Sequence, residues 1–595
     1  MRDKKGLIAL HVMVVMMWGV AEQAYAGLDT EKAMDAIVTR LYATQEEQSL
    51  YGLTAADILA FITDEEKEAL STGHWQFDVN VPVIVSLMRD KAQVEMPFWL
   101  EPSGFVKTDM VVRNMEGWTY EVWQKQFDAG RVQLGINGFG NHRPHYFVCV
   151  DPVDAESTLK LGGFHPAGQQ VLEMAVGALT YHDWTELVLT DVPESLRGQA
   201  LLPTTRGRAG EAHLAGGFRK TLYPSSARPD LVTLTWSEEP RTTQTVQWRT
   251  SDEVEHGVLE YREEGSHEWQ RMVASYKQIE DRMLANDRYC HWFTGVARCL
   301  KPGTRYVYRV GDPDGGVMSG EAFFTTAPEQ KSDAFTFLYF GDTHNQEAWG
   351  QLQNKAVERH PDAAFLMIAG DLVGTGRYRD YWDMFFTYGG EAFGTRPVVP
   401  CIGNHDAQLG LPPTMYLDFF GLPDNGPEGI MPERAYAFDY GDALFVVLDV
   451  MSGHEPQRLW LETTLAGTDA KWKFAMFHFP LYSAEESYPE LYASWGTVLE
   501  RYGVDMVFSG HVHTYLRTWP MRGGERAGDS LRGTVYVTSI SIPGDKAAAS
   551  TPDFAATYIG EEALYQVLRV EGDQCLYLAY DKEGNQRDEV LLTKD

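Results

Sequence analysis

The stretch FTFLYFGDTHN, residues 335–345, decides the fold, because a largely apolar run leads directly into an aspartate, a threonine, a histidine and an asparagine. Such a run is typical of a strand covered on both faces of a sheet, which predicts an α/β layered architecture. Polar side chains that a strand carries inside need partners. A metal ion supplies partners for Asp342 and His344, so we predict that this strand ends at a metal site.

Four later apolar runs end in the same way. AAFLMIAG is followed by Asp371, PVVPCIG by Asn404, His405 and Asp406, KFAMF by His478, and VDMVFSG by His511 and His513. A single Gly-Asp turn or a single core histidine is usually structural, but five strands that end on such residues favour one shared site. Binding sites of α/β sheets lie beyond the carboxyl ends of the strands, so we expect these side chains to converge.

Residues 1–26 are typical of a secretory signal peptide. A basic start precedes an apolar stretch from about Leu7 to Val20, and Ala24-Tyr25-Ala26 has the pattern that signal peptidase cuts. We predict cleavage after Ala26 and export to the periplasm or the extracellular space, with no integral membrane segment afterwards. A membrane anchor is the alternative, although the apolar stretch is shorter than the ~20 residues that a span needs.

Residues 27–224 are predicted to form an N-terminal β-rich domain with helices, whose role the sequence leaves open. The spacing of apolar residues up to about Thr72 indicates two or three helices, and Phe77–Leu87 alternates like one half-buried strand. His142 and His145 in GFGNHRPHYF could be ligands. No acidic or cysteine residue stands at metal spacing beside them, which favours a polar hairpin.

Residues 225–328 are predicted to form a small β-sandwich. VTLTW, QTVQWRT, HGVLEYRE, HWFTGV, TRYVYRVGD and EAFFTTAP are short strands separated by turn residues. LKPGTRYVYRV and the terminal FTTAP resemble a fibronectin type III domain, to which we assign no chemistry. Residues 329–595 then form the α/β domain that carries the site.

Composition narrows the classes of partner. With 51 basic and 84 acidic residues the formal net charge is −33, which opposes nonspecific binding to nucleic acid or anionic lipid. A small phosphate compound stays possible because bound cations reverse the sign of the local field. The five cysteines do not describe a disulfide framework, and Cys290 and Cys299 could bridge only if the chain turns between them. The sequence does not indicate an oligomeric state.

The set GDTH, GDLV, GNHD, FHFP and GHVH resembles the metallophosphoesterase (calcineurin-like) superfamily. The preceding sandwich, HFPLY at Tyr482 and GHVHTYLRT at Arg517 resemble purple acid phosphatases in particular, and the resemblance covers roughly residue 225 to the C-terminus. It implies a four-layer sandwich, in which two β-sheets are flanked by helices. It also implies hydrolysis of a small phosphate ester at a pair of cations, where a bridging water becomes acidic and the phosphoryl oxygens are held.

The resemblance also implies a role for each candidate residue. Asp371 would bridge the two cations; Asp342, His344 and His513 would complete the first site, and Asn404, His478 and His511 the second. His405 would face the substrate and stabilise phosphoryl charge or protonate the leaving oxygen, with Asp406 as its orienting partner, while plain packing of His405 is the alternative. This mixture of carboxylate, imidazole and amide suits Mn, Fe or Zn, and the sequence does not choose among them.

The chain departs from purple acid phosphatases at three places. Gly374 stands where those enzymes have the tyrosinate that gives the colour, and His344 stands where they lack a histidine ligand, so we expect neither purple colour nor an obligate ferric ion. Ser487 and Tyr488 stand approximately where the family has two substrate-contacting histidines. Substrate preference therefore does not transfer.

Two functions from different classes follow. The first is an exported binuclear-metal phosphoesterase that acts on monoesters, with diester cleavage as the nearest variant. The second is an extracellular binding or adhesion protein, in which the β-rich regions act and the phosphoesterase fold is a relic. Relics usually lose metal ligands, and all seven candidate ligands are present here.

Overall fold

The computed structural model describes residues 29–142, 144–181, 187–204, 212–407, 412–528, 533–544 and 550–594. The predicted signal peptide lies outside these residues. Over the described ranges, none of the helices has both the length and the apolar character that a membrane crossing requires. The predicted boundaries after residues 224 and 328 stay predictions.

From residue 29, where the described part of the chain begins, four helices precede the first strand, whereas the apolar spacing predicts two or three. They are α1 (Thr30–Thr44), α2 (Glu47–Leu50), α3 (Ala55–Phe61) and α4 (Asp64–Thr72). Capping boxes at Thr54 and Thr63 start α3 and α4, because each threonine side chain accepts from a backbone N–H of the first turn and an acidic side chain returns the bond. These caps separate α3 from α2 and α4 from α3.

Among the described residues up to 204, ten strands follow the helices and form two antiparallel sheets. They are β1 (Trp75–Val79), β2 (Val83–Asp90), β3 (Val106–Asn114), β4 (Thr119–Phe127), β5 (Gly130–Leu134), β6 (Phe147–Pro152), β7 (Leu161–His165), β8 (Leu172–Glu173), β9 (Leu189–Asp191) and β10 (Ala200–Leu202). The sheet orders are β5-β1-β7 and β8-β10-β6-β2-β4-β3-β9. The prediction of one strand over Phe77–Leu87 is wrong, because the chain breaks before Val83 and its two parts enter different sheets.

The two histidines of GFGNHRPHYF lie between β5 and β6, which belong to different sheets, so the hairpin prediction is also wrong. His142 Nε2 lies 3.1 Å from Asp90 Oδ2. His145 is buried, and its Nε2 lies 2.9 Å from His74 Nε2. Among the described residues, neither histidine belongs to a group of potential metal ligands.

Nine strands then form the predicted sandwich. They are β11 (Asp230–Thr235), β12 (Gln244–Ser251), β13 (Val258–Glu263), β14 (Gln270–Val273), β15 (Ser275–Glu280), β16 (Tyr289–Ala297), β17 (Arg305–Asp312), β18 (Val317–Met318) and β19 (Ala322–Thr325). One sheet has the order β11-β12-β16-β15 and the other β14-β13-β17-β18, with β19 beside β17. Cys290 is buried and Cys299 is exposed, and both are free thiols, so they do not form a disulfide.

The remainder of the chain alternates strands and helices. The strands are β20 (Phe335–Phe340), β21 (Ala363–Ile368), β22 (Val398–Pro400), β23 (Tyr436–Tyr440), β24 (Ala443–Val447), β25 (Trp472–Met476), β26 (Met506–Ser509), β27 (Tyr515–Thr518), β28 (Met521–Arg522), β29 (Glu525–Arg526), β30 (Val535–Thr538), β31 (Ala555–Ile559), β32 (Leu564–Glu571), β33 (Gln574–Asp581) and β34 (Gln586–Thr593). The helices are α5 (Glu347–Arg359), α6 (Arg379–Phe393), α7 (Asn404–Ala407), α8 (Thr414–Phe419), α9 (His454–Gly467), α10 (Pro489–Leu491) and α11 (Thr497–Arg501), and a π-helical turn covers Tyr492–Gly496.

Two sheets form the centre of this region. The first sheet has the order β22-β21-β20-β32-β33-β34, and the second sheet has the order β23-β24-β25-β26-β30-β27-β31. The strands that precede the candidate ligands pair in parallel, β20 to β22 in the first sheet and β24 to β26 in the second. Every residue of β20 is buried, as a strand covered on both faces requires.

The two sheets pack face to face through aromatic rings. In the first sheet, Phe337 stacks on Phe365 with 5.1 Å between ring centroids. The same Phe337 ring meets Phe445, Phe474 and Phe508 of the second sheet edge-on at 5.3–6.2 Å. Helices α5 and α6 cover the first sheet, while α9, α11 and the π-helical turn pack on the second. The four-layer prediction is therefore confirmed.

Candidate metal centre

The predicted ligands follow strands that end at the same edge of the two sheets. From the first sheet, Asp342 and His344 follow β20, Asp371 follows β21, and Asn404 follows β22 and begins α7. From the second sheet, His478 follows β25, and His511 and His513 follow β26. Each strand therefore delivers its ligands at its carboxyl end, where α/β sheets place their sites.

The structure brings these residues together. Three groups each have one potential ligand atom per residue, all within 4.8 Å of one another, namely Asp342, His344 and His513; His344, Asp371 and His405; and Asp371, His478 and His511. Asn404 joins the last group through its amide oxygen, which lies 3.1 Å from His478 Nε2. All seven predicted ligands thus lie in one neighbourhood, together with His405.

Asp342 lies at the centre of the first group. Its Oδ1 accepts a hydrogen bond from the backbone N–H of His511 at 2.7 Å. Its Oδ2 lies 3.5 Å from His513 Nε2 and 3.7 Å from His344 Nε2, and it is a buried oxygen without a hydrogen-bond partner in the described part of the chain. A buried carboxylate oxygen without a partner is costly unless a cation binds there.

Asp371 connects the first group to the second. Its Oδ1 lies 3.2 Å from His478 Nε2, and its Oδ2 lies 3.7 Å from His344 Nε2. Burial acts to raise the pKa of Asp371, but the charges of His478 and His405 outweigh it and hold the pKa well below its usual range. Burial acts to lower the pKa of His478, but the Asp371 carboxylate raises it to about 9. The pair therefore holds a proton that a metal cation would displace.

The donor set fits a pair of transition-metal cations. It offers two carboxylates, four imidazoles and one amide, and the free oxygen of Asp342 faces two of the imidazoles. Oxygen and nitrogen donors in this proportion suit Mn, Fe or Zn better than Ca or Mg. His478 also donates from Nδ1 to the carbonyl oxygen of Ala369 at 2.7 Å, the kind of support that orients a ligand histidine.

The backbone at the site is held in an unfavourable conformation. His344, Asn345, Asp371 and His511 have φ values of 44°, 47°, 47° and 72°, in the left-handed region that non-glycine residues rarely adopt. Such strain costs about 1–3 kcal/mol per residue and is concentrated at functional sites. The surrounding sheets therefore enforce a geometry that a turn chosen for stability alone would avoid.

Residues 335–515 match the Calcineurin-like phosphoesterase family, and residues 229–326 match the Purple acid Phosphatase, N-terminal domain. The chain therefore pairs a calcineurin-like phosphoesterase domain with a purple acid phosphatase N-terminal domain.

Two phosphatases are similar to this chain in sequence. Probable purple acid phosphatase 20 of Arabidopsis thaliana is 27% identical over 317 residues, which are 50% of this chain and 69% of that protein. Phosphoenolpyruvate phosphatase of Allium cepa is 27% identical over 271 residues, which are 41% of this chain and 55% of that protein. The chain spans little more than half the length of several relatives that it matches.

A solved purple acid phosphatase from yellow lupin seeds has a similar fold. The match has a TM-score of 0.56 and 14% identity, and it covers 89% of this chain and 92% of the lupin chain. At this identity, the likeness concerns the fold alone.

Within the phosphoesterase domain, His405 lies beside the predicted ligands. Its Nδ1 donates to the carbonyl oxygen of Gly374 at 2.9 Å, and its Nε2 lies 4.0 Å from Asp371 Oδ2. The orienting role expected of Asp406 is wrong, because the Asp406 carboxylate accepts from the backbone N–H groups of Val373 and Gly403 instead. Burial and the nearby Asp371 charge raise the pKa of Asp406 to about 8. Asp406 thus ties the two loops that carry Asp371 and Asn404.

The departures from purple acid phosphatases are visible in the structure. Gly374 presents no side chain, and its N–H donates to Asn345 Oδ1 at 2.9 Å.

Tyr482 and Arg517, which carry part of the family resemblance, have structural partners. The Tyr482 hydroxyl lies 3.2 Å from Glu500 Oε1, and Arg517 pairs with Asp588 at 2.6 Å.

Sequence reasoning missed Glu486 near the second group, and it did not predict the contact that Tyr488 makes there. Glu486 Oε2 lies 3.1 Å from His511 Nε2, and the Tyr488 hydroxyl donates to the same oxygen. Both residues stand in a loop without periodicity, and the family motif places histidines there, so no sequence signal pointed to a carboxylate.

Proposed function

We propose that the protein is an exported phosphoesterase that depends on a pair of metal cations and hydrolyses phosphate esters, with monoesters as the main substrate class. The observation that carries the proposal is the meeting of two buried carboxylates and four imidazoles at one edge of the two sheets. The similarity to phosphatases of Arabidopsis and onion supports the same reaction class.

The chain's residues divide into two ligand sets that share Asp371. Asp342, His344, Asp371 and His513 would hold one cation, and Asp371, Asn404, His478 and His511 would hold the other. With cations bound, these residues would hold a centre that supplies a strong nucleophile at neutral pH and positive charge for the phosphoryl oxygens. Their identity stays open within Mn, Fe and Zn.

His405 would act on the substrate directly. Because its Nδ1 is committed to the Gly374 carbonyl, only Nε2 is left to reach a phosphoryl oxygen or the leaving oxygen. The ring is about one-third exposed, so a substrate can reach it. In this position the imidazole can stabilise negative charge or give a proton to the departing alcohol.

The test compares Asp371→Asn with Asp424→Asn, which makes the same chemical change on an exposed aspartate. Both are assayed with nitrophenyl phosphate and bis-nitrophenyl phosphate in added Mn²⁺, after circular dichroism has shown that each variant is folded. We expect Asp371→Asn to fall to the uncatalysed rate and Asp424→Asn to match wild type. Equal turnover in both would refute the assignment, and a larger rate on the diester would change the substrate class.

Two further measurements complete the proposal. Elemental analysis after dialysis should find about two transition-metal equivalents, whereas a binding or adhesion protein would retain none. Export is tested by sequencing the N-terminus of the mature protein, which should begin at Gly27.

A further inference from the structure

The ligand His511 has a carboxylate on one of its two ring nitrogens. Glu486 Oε2 lies 3.1 Å from His511 Nε2. Because a carboxylate only accepts, the His511 nitrogen must donate, and Nε2 carries the hydrogen. In the neutral ring the other nitrogen, Nδ1, then keeps its lone pair. Nδ1 is therefore the nitrogen that can bind a cation.

Glu486 is itself held in place from several sides. The Tyr488 hydroxyl donates to the same carboxylate oxygen, and the backbone N–H of Glu486 donates to Ser483 Oγ at 3.2 Å. The Phe479 ring stacks on Tyr488 with 5.0 Å between centroids and lies 4.4 Å from the ring of His511. The loop therefore presents the carboxylate to the histidine in a fixed orientation.

Glu486 contacts His511 but does not belong to a group of potential metal-ligand atoms. Within the described ranges, His511 groups with Asp371 and His478, and Glu486 belongs to none of the groups of potential ligands. Its absence from these groups argues against direct coordination. A carboxylate behind a ligand histidine fixes the ring and makes its free nitrogen more basic.

We propose that Glu486 is a positioning residue that holds His511 with Nδ1 directed at the second cation. This inference rests on the proposed function. It assigns the segment around Ser487 and Tyr488 to the support of a metal ligand, where purple acid phosphatases have substrate-contacting histidines.

The main measurement of the test is metal affinity, which needs no substrate. Zn²⁺ is titrated into the metal-free full-length protein in competition with a chromophoric chelator, which resolves the first and second equivalents. Glu486→Ala should weaken one of the two equivalents by about 10–100-fold and leave the other within twofold of wild type. Glu486→Gln should have a smaller effect in the same direction, since its amide oxygen still accepts but carries no charge.

Two variants serve as controls. Glu485→Gln removes the same charge one residue away and should bind both equivalents within twofold of wild type. Tyr488→Phe removes the hydroxyl that orients the carboxylate, and we expect a weaker loss than in Glu486→Ala. Circular dichroism of the metal-free variants should match wild type, and excess Zn²⁺ should restore the phosphatase activity of Glu486→Ala, which a folding defect would not allow.

The outcomes separate the inference from the proposed function. If wild type binds fewer than two equivalents, the metal-dependent function fails and the inference fails with it. If wild type binds two equivalents and Glu486→Ala binds both within twofold of wild type, only the inference is overturned. Complete loss of one equivalent in Glu486→Ala would also overturn it, because Glu486 would then be a direct ligand.

Discussion

Replacing Arg249 by methionine should lower the free energy of unfolding by about 3–5 kcal/mol, because it leaves the buried carboxylate of Asp383 without its ion-pair partner. Arg249, on β12 of the sandwich, is 1% exposed and joins two domains. Its Nε and Nη2 bond both oxygens of Asp230 at 2.9 and 2.7 Å, and its Nη1 bonds Asp383 Oδ1 at 2.7 Å. Asp230 is 38% exposed and can be rehydrated, whereas Asp383 of α6 is 3% exposed. Most of the cost therefore arises at Asp383.

The cost should depend on pH with a defined sign. Burial raises the pKa of Asp383 to about 6 from an ordinary value of 3.8, although Arg249 and Arg379 act in the opposite direction. When a carboxyl group has a higher pKa in the folded state than in the unfolded state, the protein loses stability as pH rises from the unfolded-state pKa through the folded-state pKa. Removal of Arg249 raises the folded-state pKa of Asp383 further, so the variant continues to lose stability at higher pH than wild type does. The difference between variant and wild type should be larger at pH 8 than at pH 5.

Urea unfolding followed by tryptophan fluorescence at both pH values measures this difference. Arg298→Met is the matched control, because Arg298 and Glu238 form a pair in the same sandwich that is 50% and 40% exposed, and such pairs contribute at most about 1 kcal/mol. A double variant, Arg249→Met with Asp383→Leu, should regain much of the loss, since no unpaired charge then stays buried. The reasoning is refuted if Arg249→Met and Arg298→Met agree within 1 kcal/mol at pH 8.

Two further changes have outcomes that the structure fixes. In Gly510→Ala the new Cβ would lie 2.1 Å from Asp342 Oδ1, so we expect metal affinity and turnover to fall at least tenfold, whereas Gly467→Ala, with nothing within 4 Å of its Cβ, should match wild type. Equal Zn²⁺ affinities in the two variants would contradict this. Burial raises the pKa of Glu433 to about 7 from 4.5, so the free energy of unfolding should fall by up to about 3 kcal/mol as pH rises through that window. The side chain in Glu433→Gln still accepts from the backbone N–H of Leu422, so this variant should lose only the pH dependence of stability. Urea unfolding at pH 5 and pH 8 measures that dependence, and an unchanged pH dependence in the variant would contradict the prediction.

The central strands of the phosphoesterase domain could be predicted because both of their faces are buried. FTFLYF coincides with β20, and the apolar runs ending at Asp371, His478 and His511 coincide with β21, β25 and β26. A strand buried on both faces must be apolar throughout, so the polar residue that ends it is conspicuous. That contrast located the candidate ligands.

Elements with one polar face gave no such contrast. Val79 and Val83 continue one alternating pattern, yet they belong to strands of different sheets, because alternation records which side of a strand is buried and not which sheet it joins. Strand β34 alternates between intermediate and exposed residues, and its register depends on pairing with β33, which the sequence does not encode locally. Glu486 depends on loop geometry, and only coordinates place it beside His511.

The two ligand sets explain why the motifs are distributed along the chain. Each proposed set takes residues from both sheets: Asp342 and His344 of the first sheet group with His513 of the second, while Asp371 and Asn404 of the first lie beside His478 of the second, with His511 in the same group as Asp371. A cation in either position would therefore join the sheets, and the aromatic packing of Phe337 against the second sheet sets the separation that it must span. Because metal that binds only the folded state adds its binding free energy to folding, the sheet interface and the metal centre should stabilise each other.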